Sequence, residues 1–178
     1  RLARRQITVN EEEAQQIAGR DEFATAEAID QLLTMQLVQA DGLYYSVSHT
    51  ILGEMALTAI GKTRRRLLHR RAGEVLQQRV DGAALAAFHF AAAAMAEAAA
   101  QNYFSAAQHA WALFAAEPAL QSLTRALALS PVSEPLLFAI YALHEEVLHH
   151  LGRRNEQESV LGALLELAAH VHRRLVHR

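Results

Sequence analysis

The residues of this 178-residue chain with most chemistry to offer are ten histidines, a Gly-Lys-Thr triplet and a run of arginines. Gly61-Lys62-Thr63 matches the end of a phosphate-binding loop, whose full pattern, G-x-x-x-x-G-K-T, wraps backbone N–H groups around phosphate oxygens. Its first glycine would fall at position 56, where Ala56 stands, and Ala56-Leu57-Thr58-Ala59-Ile60 lacks the backbone freedom of a cradle. A helix–helix turn is the expectation. His144, His149 and His150 sit near Glu145 and Glu146, but no two histidines are four apart, the spacing that chelates a metal on one helix face. Glu145 with His149, and Glu146 with His150, read as pairs on a solvated helix face, and His170, His172 and His177 as a polar tail. Ser46 and Ser48 lie beside His49 without the sharp turn or the third, orienting residue that would make a nucleophile. No catalytic residue and no metal site is expected; the chain does not read as an enzyme.

The arginines raise a second possibility, nucleic acid. From Asn10 to Gly61 there are nine acidic residues, Glu11, Glu12, Glu13, Asp21, Glu22, Glu27, Asp30, Asp41 and Glu54, against Arg20 alone. From Lys62 to Arg79 the sign reverses, with Lys62, Arg64, Arg65, Arg66, Arg70, Arg71 and Arg79 against Glu74. Phosphate neutralisation supplies most non-specific affinity for DNA, so an acidic head is repelled. The basic stretch carries an apolar face committed to packing, and its charged side reads as solvated. Direct DNA binding by this chain is not expected.

The elements that would position these residues are helical. Asn10 before three glutamates is an N-cap with carboxylates in the first turn, opening a helix that ends near Gly19. A second, from about Thr25, carries Ile29, Leu32, Leu33 and Leu37 at helical spacing. Asp41-Gly42 between two β-rich runs then signals a two-residue hairpin, and a helix follows from Thr50 to Ile60. Helix, helix, hairpin is the outline of a winged helix. Beyond Gly61 only helices are expected. One has the face Leu68, Ala72, Val75 and Leu76; Ala83 to Ala99 pairs with Tyr103 to Ala116; Pro118 opens the next, to Leu129. Ser133 and Pro135 then start a helix striped by Leu136, Ile140, Leu143, Val147 and Leu151 that ends at Gly152, and the last helix carries Leu161, Leu164, Leu165 and Ala168.

Alanine suits close helix packing, and the pattern repeats. With Pro131 as the closing proline of a TPR unit begun at Ala100, Tyr103, Ala107, Ala119, Leu123 and Ala126 take the aromatic, small and large apolar positions. A degenerate second copy places Tyr141, Leu148, Gly152 and Leu161 there. The expected fold is all-α: a winged-helix-like head with one small β-hairpin over 1–61, then a TPR-like antiparallel helical repeat array over 62–178. The chain has no cysteine, no span long enough for a bilayer and no secretory signal. It begins at Arg1, which reads as a boundary inside a longer polypeptide, and no membrane association and a cytoplasmic address are expected.

Two segments together resemble a known family. Leu32-Leu33-Thr34-Met35-Gln36-Leu37-Val38, Asp41 to His49 and Glu54 precede Arg64-Arg65-Arg66-Leu67-Leu68-His69-Arg70-Arg71. This is similar to the region after the nucleotide-binding domain of large bacterial STAND-type ATPases, including ATP-binding LuxR-type and SARP-type transcriptional activators. Phe88-His89-Phe90 and the stretch Glu145 to Arg154 resemble that family's helical region, whereas Gly53 stands where many members have arginine. The resemblance implies a non-catalytic signal-relay segment whose repeat receives a protein or small-molecule inducer, with ATP or ADP belonging to the full-length protein. It also implies that His49 matches the winged-helix histidine that approaches the nucleotide phosphates in the resting state; the residues alone allow a histidine packed between wing and helix. Two other assignments fit the sequence: the equivalent segment of a cyclase- or kinase-linked regulator, and a plain TPR scaffold.

Overall fold

A computed structural model describes residues 8–130 and 132–176. Among them the chain is mostly helical, with one small antiparallel two-stranded sheet. It divides into two compact units, Arg1–Val75 and Leu76–Arg178. The closing proline of the repeat alignment, Pro131, lies outside the described residues, as does the end of the polar tail at His177.

The first unit opens with α1 (Glu11–Ala18). Asn10 Oδ1 accepts from Glu13 N–H and Glu13 Oε2 accepts from Asn10 N–H, a reciprocal cap that satisfies two otherwise free donors. The helix stops at Gly19, whose φ of 65° is left-handed. A Cβ there would run into the guanidinium of Arg71, whose Nη1 donates to Ala18 O. α2 (Glu22–Thr34) begins three residues earlier than Thr25 because Asp21 caps it through Ala24 N–H, while Thr25 turns its hydroxyl back to Asp21 O.

β1 (Val38–Asp41) and β2 (Tyr44–Val47) pair with Asp41 opposite Tyr44, so the turn residues are Gly42 and Leu43 rather than Asp41 and Gly42. Gly42, at φ 60°, takes the position that only glycine enters without strain. Val9 adds a bridge to the free edge of β2, exchanging both backbone bonds with Tyr45; an isolated residue has no periodicity for a sequence reading to find. α3 (Thr50–Ala59) and α4 (Lys62–Leu76) complete the head. Among the described residues of this unit, the buried apolar side chains are Ile29, Ala72 and Val75.

The second unit is an array of antiparallel neighbours, α5 (Ala83–Ala92), α6 (Ala96–Ala112), α7 (Ala116–Leu127), α8 (Glu134–His150) and α9 (Arg154–Val176), each packed on the next. Tyr103, Ala107, Ala119, Leu123 and Ala126, the positions of the repeat alignment, are all buried in one core with Leu136, Ile140, Val147 and Leu148. Fully buried alanines at the α6–α7 contact let the two backbones approach closely, and Leu123 fills the space between them.

Two boundaries differ from the sequence reading. The first hairpin turns at Ala93-Ala94-Met95, not after Ala99, and α7 opens at Ala116, not Pro118. The reason is a connector written without glycine. Ala94 and Phe114 adopt φ of 60° and 58°, as Gly152 does at 69°. At each, the following N–H groups close back on the helix end: Ala94 on Ala91 O and Met95 on Phe90 O; Phe114 on Trp111 O and Ala115 on Ala110 O; Gly152 on His149 O and Arg153 on Leu148 O.

The repeat is also visible in its polar ties. Glu97 at the start of α6 accepts from Ser133 N–H (2.7 Å) and from its hydroxyl, just ahead of α8. Trp111 Nε1 near the end of α6 donates to Glu146 near the end of α8 (3.2 Å). These two ties make α6 and α8 parallel neighbours, the arrangement of equivalent helices in successive repeats. Arg153 Nη2 bonds Glu117 (2.7 Å) in the same way between the starts of α9 and α7. Glu97–Ser133 and Glu117–Arg153 both span 36 residues, slightly more than a TPR unit.

Candidate functional site

Most of the charged and aromatic groups with chemistry to offer turn out to be structural. In the first unit the arginine run holds its own fold: Arg65 donates to Leu57 O at 3.4 Å, Arg71 caps α1, and Arg70 lies 3.5 Å from Glu74. Gly61-Lys62-Thr63 falls at the α3–α4 junction with α3 running through Ala56, so no loop of free N–H groups surrounds a phosphate there. Burial, and then the Arg65 charge, hold the His69 ring below the usual histidine pKa.

His49 is at the N-cap of α3, in extended backbone immediately after β2, and its side chain does not cap the helix. It is exposed, not packed between the wing and the helix. It is therefore free to meet a group from outside the unit, and the hairpin and α3 hold its backbone on both sides.

In the second unit α8 carries two polar knots where a solvated face of i, i+4 pairs was expected. Glu145 does not pair with His149; it accepts from Gln157 Nε2 of α9, and Gln157 is itself buried. His149 Nδ1 lies 3.3 Å from Gln157 Nε2 and 3.1 Å from Arg154 Nη1. Glu146 turns to Trp111 instead of His150, and the His150 ring meets the Trp111 ring edge-on at 5.2 Å between centroids. Long-range partners displaced the local ones because α8 is flanked on both sides by packed helices. Gln157, Glu97 and Trp111 had no motif to signal them.

His144 shares the buried stripe of α8 with Ile140 and Val147. Its Nδ1 is buried without a hydrogen-bond partner among the described residues. Burial lowers its pKa, partly opposed by the charge of Glu156 on α9. It sits among the buried residues of α8, and among the described residues no group of three metal-binding side chains comes together.

Two surfaces of the array could receive a partner. A groove of about 810 Å³ runs past the α5–α6 turn, lined by Ala91, Met95, Ala98, Gln101 and Leu129. On α8, Phe138 is 50% exposed and stands outside the core cluster. Exposed aromatic side chains of this kind are enriched where proteins bind one another. Among the described residues no helix is long and apolar enough to cross a membrane. Comparison with known proteins gave no matching family model, no matching curated protein and no matching solved structure.

Proposed function

We propose that this chain is a non-catalytic, cytoplasmic signal-relay segment of an ATP-binding transcriptional regulator, whose helical array binds a protein or small-molecule inducer. The observation that carries the reading is the order of parts: a hairpin-bearing head that presents His49, followed by helix pairs whose α6 and α8 are tied as successive repeats. That order is the one the STAND-type resemblance implies. The groove at the α5–α6 turn suits a small apolar inducer, and the exposed aromatic ring of Phe138 suits a protein. DNA contact is assigned to another part of the regulator, because the head's acidic surface opposes phosphate.

In this reading His49 is the head's sensor of the bound nucleotide in the full-length protein. The test is nucleotide retained after gel filtration, together with basal transcription from a target promoter. His49→Ala is expected to lower retention and raise basal output. Unchanged retention and output would remove His49 from the relay, while leaving the array's role open to separate measurement.

A further inference from the structure

One face of α2 has a composition that folding of the head does not explain. Phe23, Ala26, Glu27, Asp30, Gln31, Thr34 and Met35 line a shallow groove of about 490 Å³ on the side opposite the buried Thr25 and Ile29. Phe23 is 80% exposed and Met35 65% exposed, so the two large apolar groups stand in water at either end of the face. They are about 18 Å apart along the axis at 1.5 Å per residue. Between them are Glu27 and Asp30, neither in an ion pair with any described residue; Glu27 accepts only a long bond from Gln31 Nε2 at 3.5 Å. Among the described residues no lysine, arginine or histidine lines the groove. In the winged-helix outline this is the helix that would read DNA. Its carboxylates repel phosphate, and its apolar ends have nothing to gain from a sugar-phosphate backbone.

We infer that this face of α2 docks a basic amphipathic helix of a partner protein, with apolar side chains seated beside Phe23 and Met35 and lysine or arginine over Glu27 and Asp30. Charge complementarity selects the occupant: an acidic partner is repelled, and a purely apolar one would leave two carboxylates buried without partners, which costs more than the apolar contact returns. Three to four turns of helix match the length of the face, and apolar anchors at both ends with charges between them are the helix-in-groove mode of recognition. The inference concerns the first unit alone and does not depend on the role of the array.

The test titrates the ¹⁵N-labelled chain with a synthetic helical peptide of Leu on one face and Lys on the other, and with its counterpart carrying Glu for Lys. The Leu/Lys peptide is expected to shift the amides of Phe23, Glu27, Asp30 and Met35, and to weaken roughly tenfold or more as salt rises. Phe23→Ser, and Glu27→Gln with Asp30→Asn, should each weaken it by a similar factor, while Glu11→Gln with Glu12→Gln leaves it unchanged. All five substituted side chains are exposed, so the amide spectra of the variants report binding and not unfolding. Equal binding of the Leu/Glu peptide, shifts spread over Glu11, Glu12 and Asp41, equal weakening by the Glu11 and Glu12 changes, or no binding of either peptide would each overturn the inference.

Discussion

The side chain of His144 shows how one residue can carry a solution property of the whole second unit. Its ring is buried on the α8 stripe, and desolvation favours the neutral form more than Glu156 favours the cation. The folded ring therefore binds a proton less readily than the unfolded one. Above pH 6.5 both states are neutral and His144 adds no pH dependence. As pH falls below 6.5 the unfolded chain takes the proton first, and stability is lost down to the lowered folded pKa. Urea denaturation followed by the fluorescence of Trp111, the single tryptophan, should show that loss below pH 6.5. His144→Leu should flatten it. A slope unchanged by His144→Leu would assign the pH response to other groups.

At the scale of elements the connectors decide where helices stop, and they are the part least visible in the residues. Gly152→Ala puts a Cβ into a left-handed position where nothing lies within 4 Å, so its expected cost of about 1 kcal/mol is backbone strain alone. Ala94→Gly at the equivalent position of the first hairpin is expected to change stability the other way, by about 0.5 kcal/mol after the added flexibility of the unfolded chain is deducted. Thermal unfolding followed by Trp111 measures both; a loss on Ala94→Gly would mean that the turn is not strained.

These same connectors explain what was legible. Asn10, Gly19, Gly42 and Gly152 announce their caps and turns by residue type, and the helices they bound fall close to the expected places. Ala94 and Phe114 announce nothing, because in an alanine-rich stretch the packing of α5 on α6 and α6 on α7 selects the break and the local sequence does not. The repeat positions Tyr103, Ala107 and Leu123 were legible because packing in a helix pair demands size at fixed spacing. The ties Glu97–Ser133, Trp111–Glu146 and Gln157–Glu145 were not, since a hydrogen bond between distant helices leaves no periodicity behind.

The whole molecule combines a head with few buried apolar side chains among its described residues and an array whose core runs continuously from α5 into α9. Each helix of such an array is stabilised mainly by its neighbours, so a change on its outer surface alters recognition without altering the fold. The residues that bind a partner should then be separable from those that hold the array together. Phe138 is the clearest case, a half-exposed ring on α8 outside the core, one position from the partly buried Leu137 and two from Leu136 within it. In the regulator we propose, the most direct measurement of the binding role is induction of a target promoter by the full-length protein under conditions that switch the wild type on, compared with Phe138→Glu. The array as receiving surface predicts that Phe138→Glu abolishes induction while basal output and the Trp111 unfolding transition stay as in the wild type; full induction by the variant would contradict it.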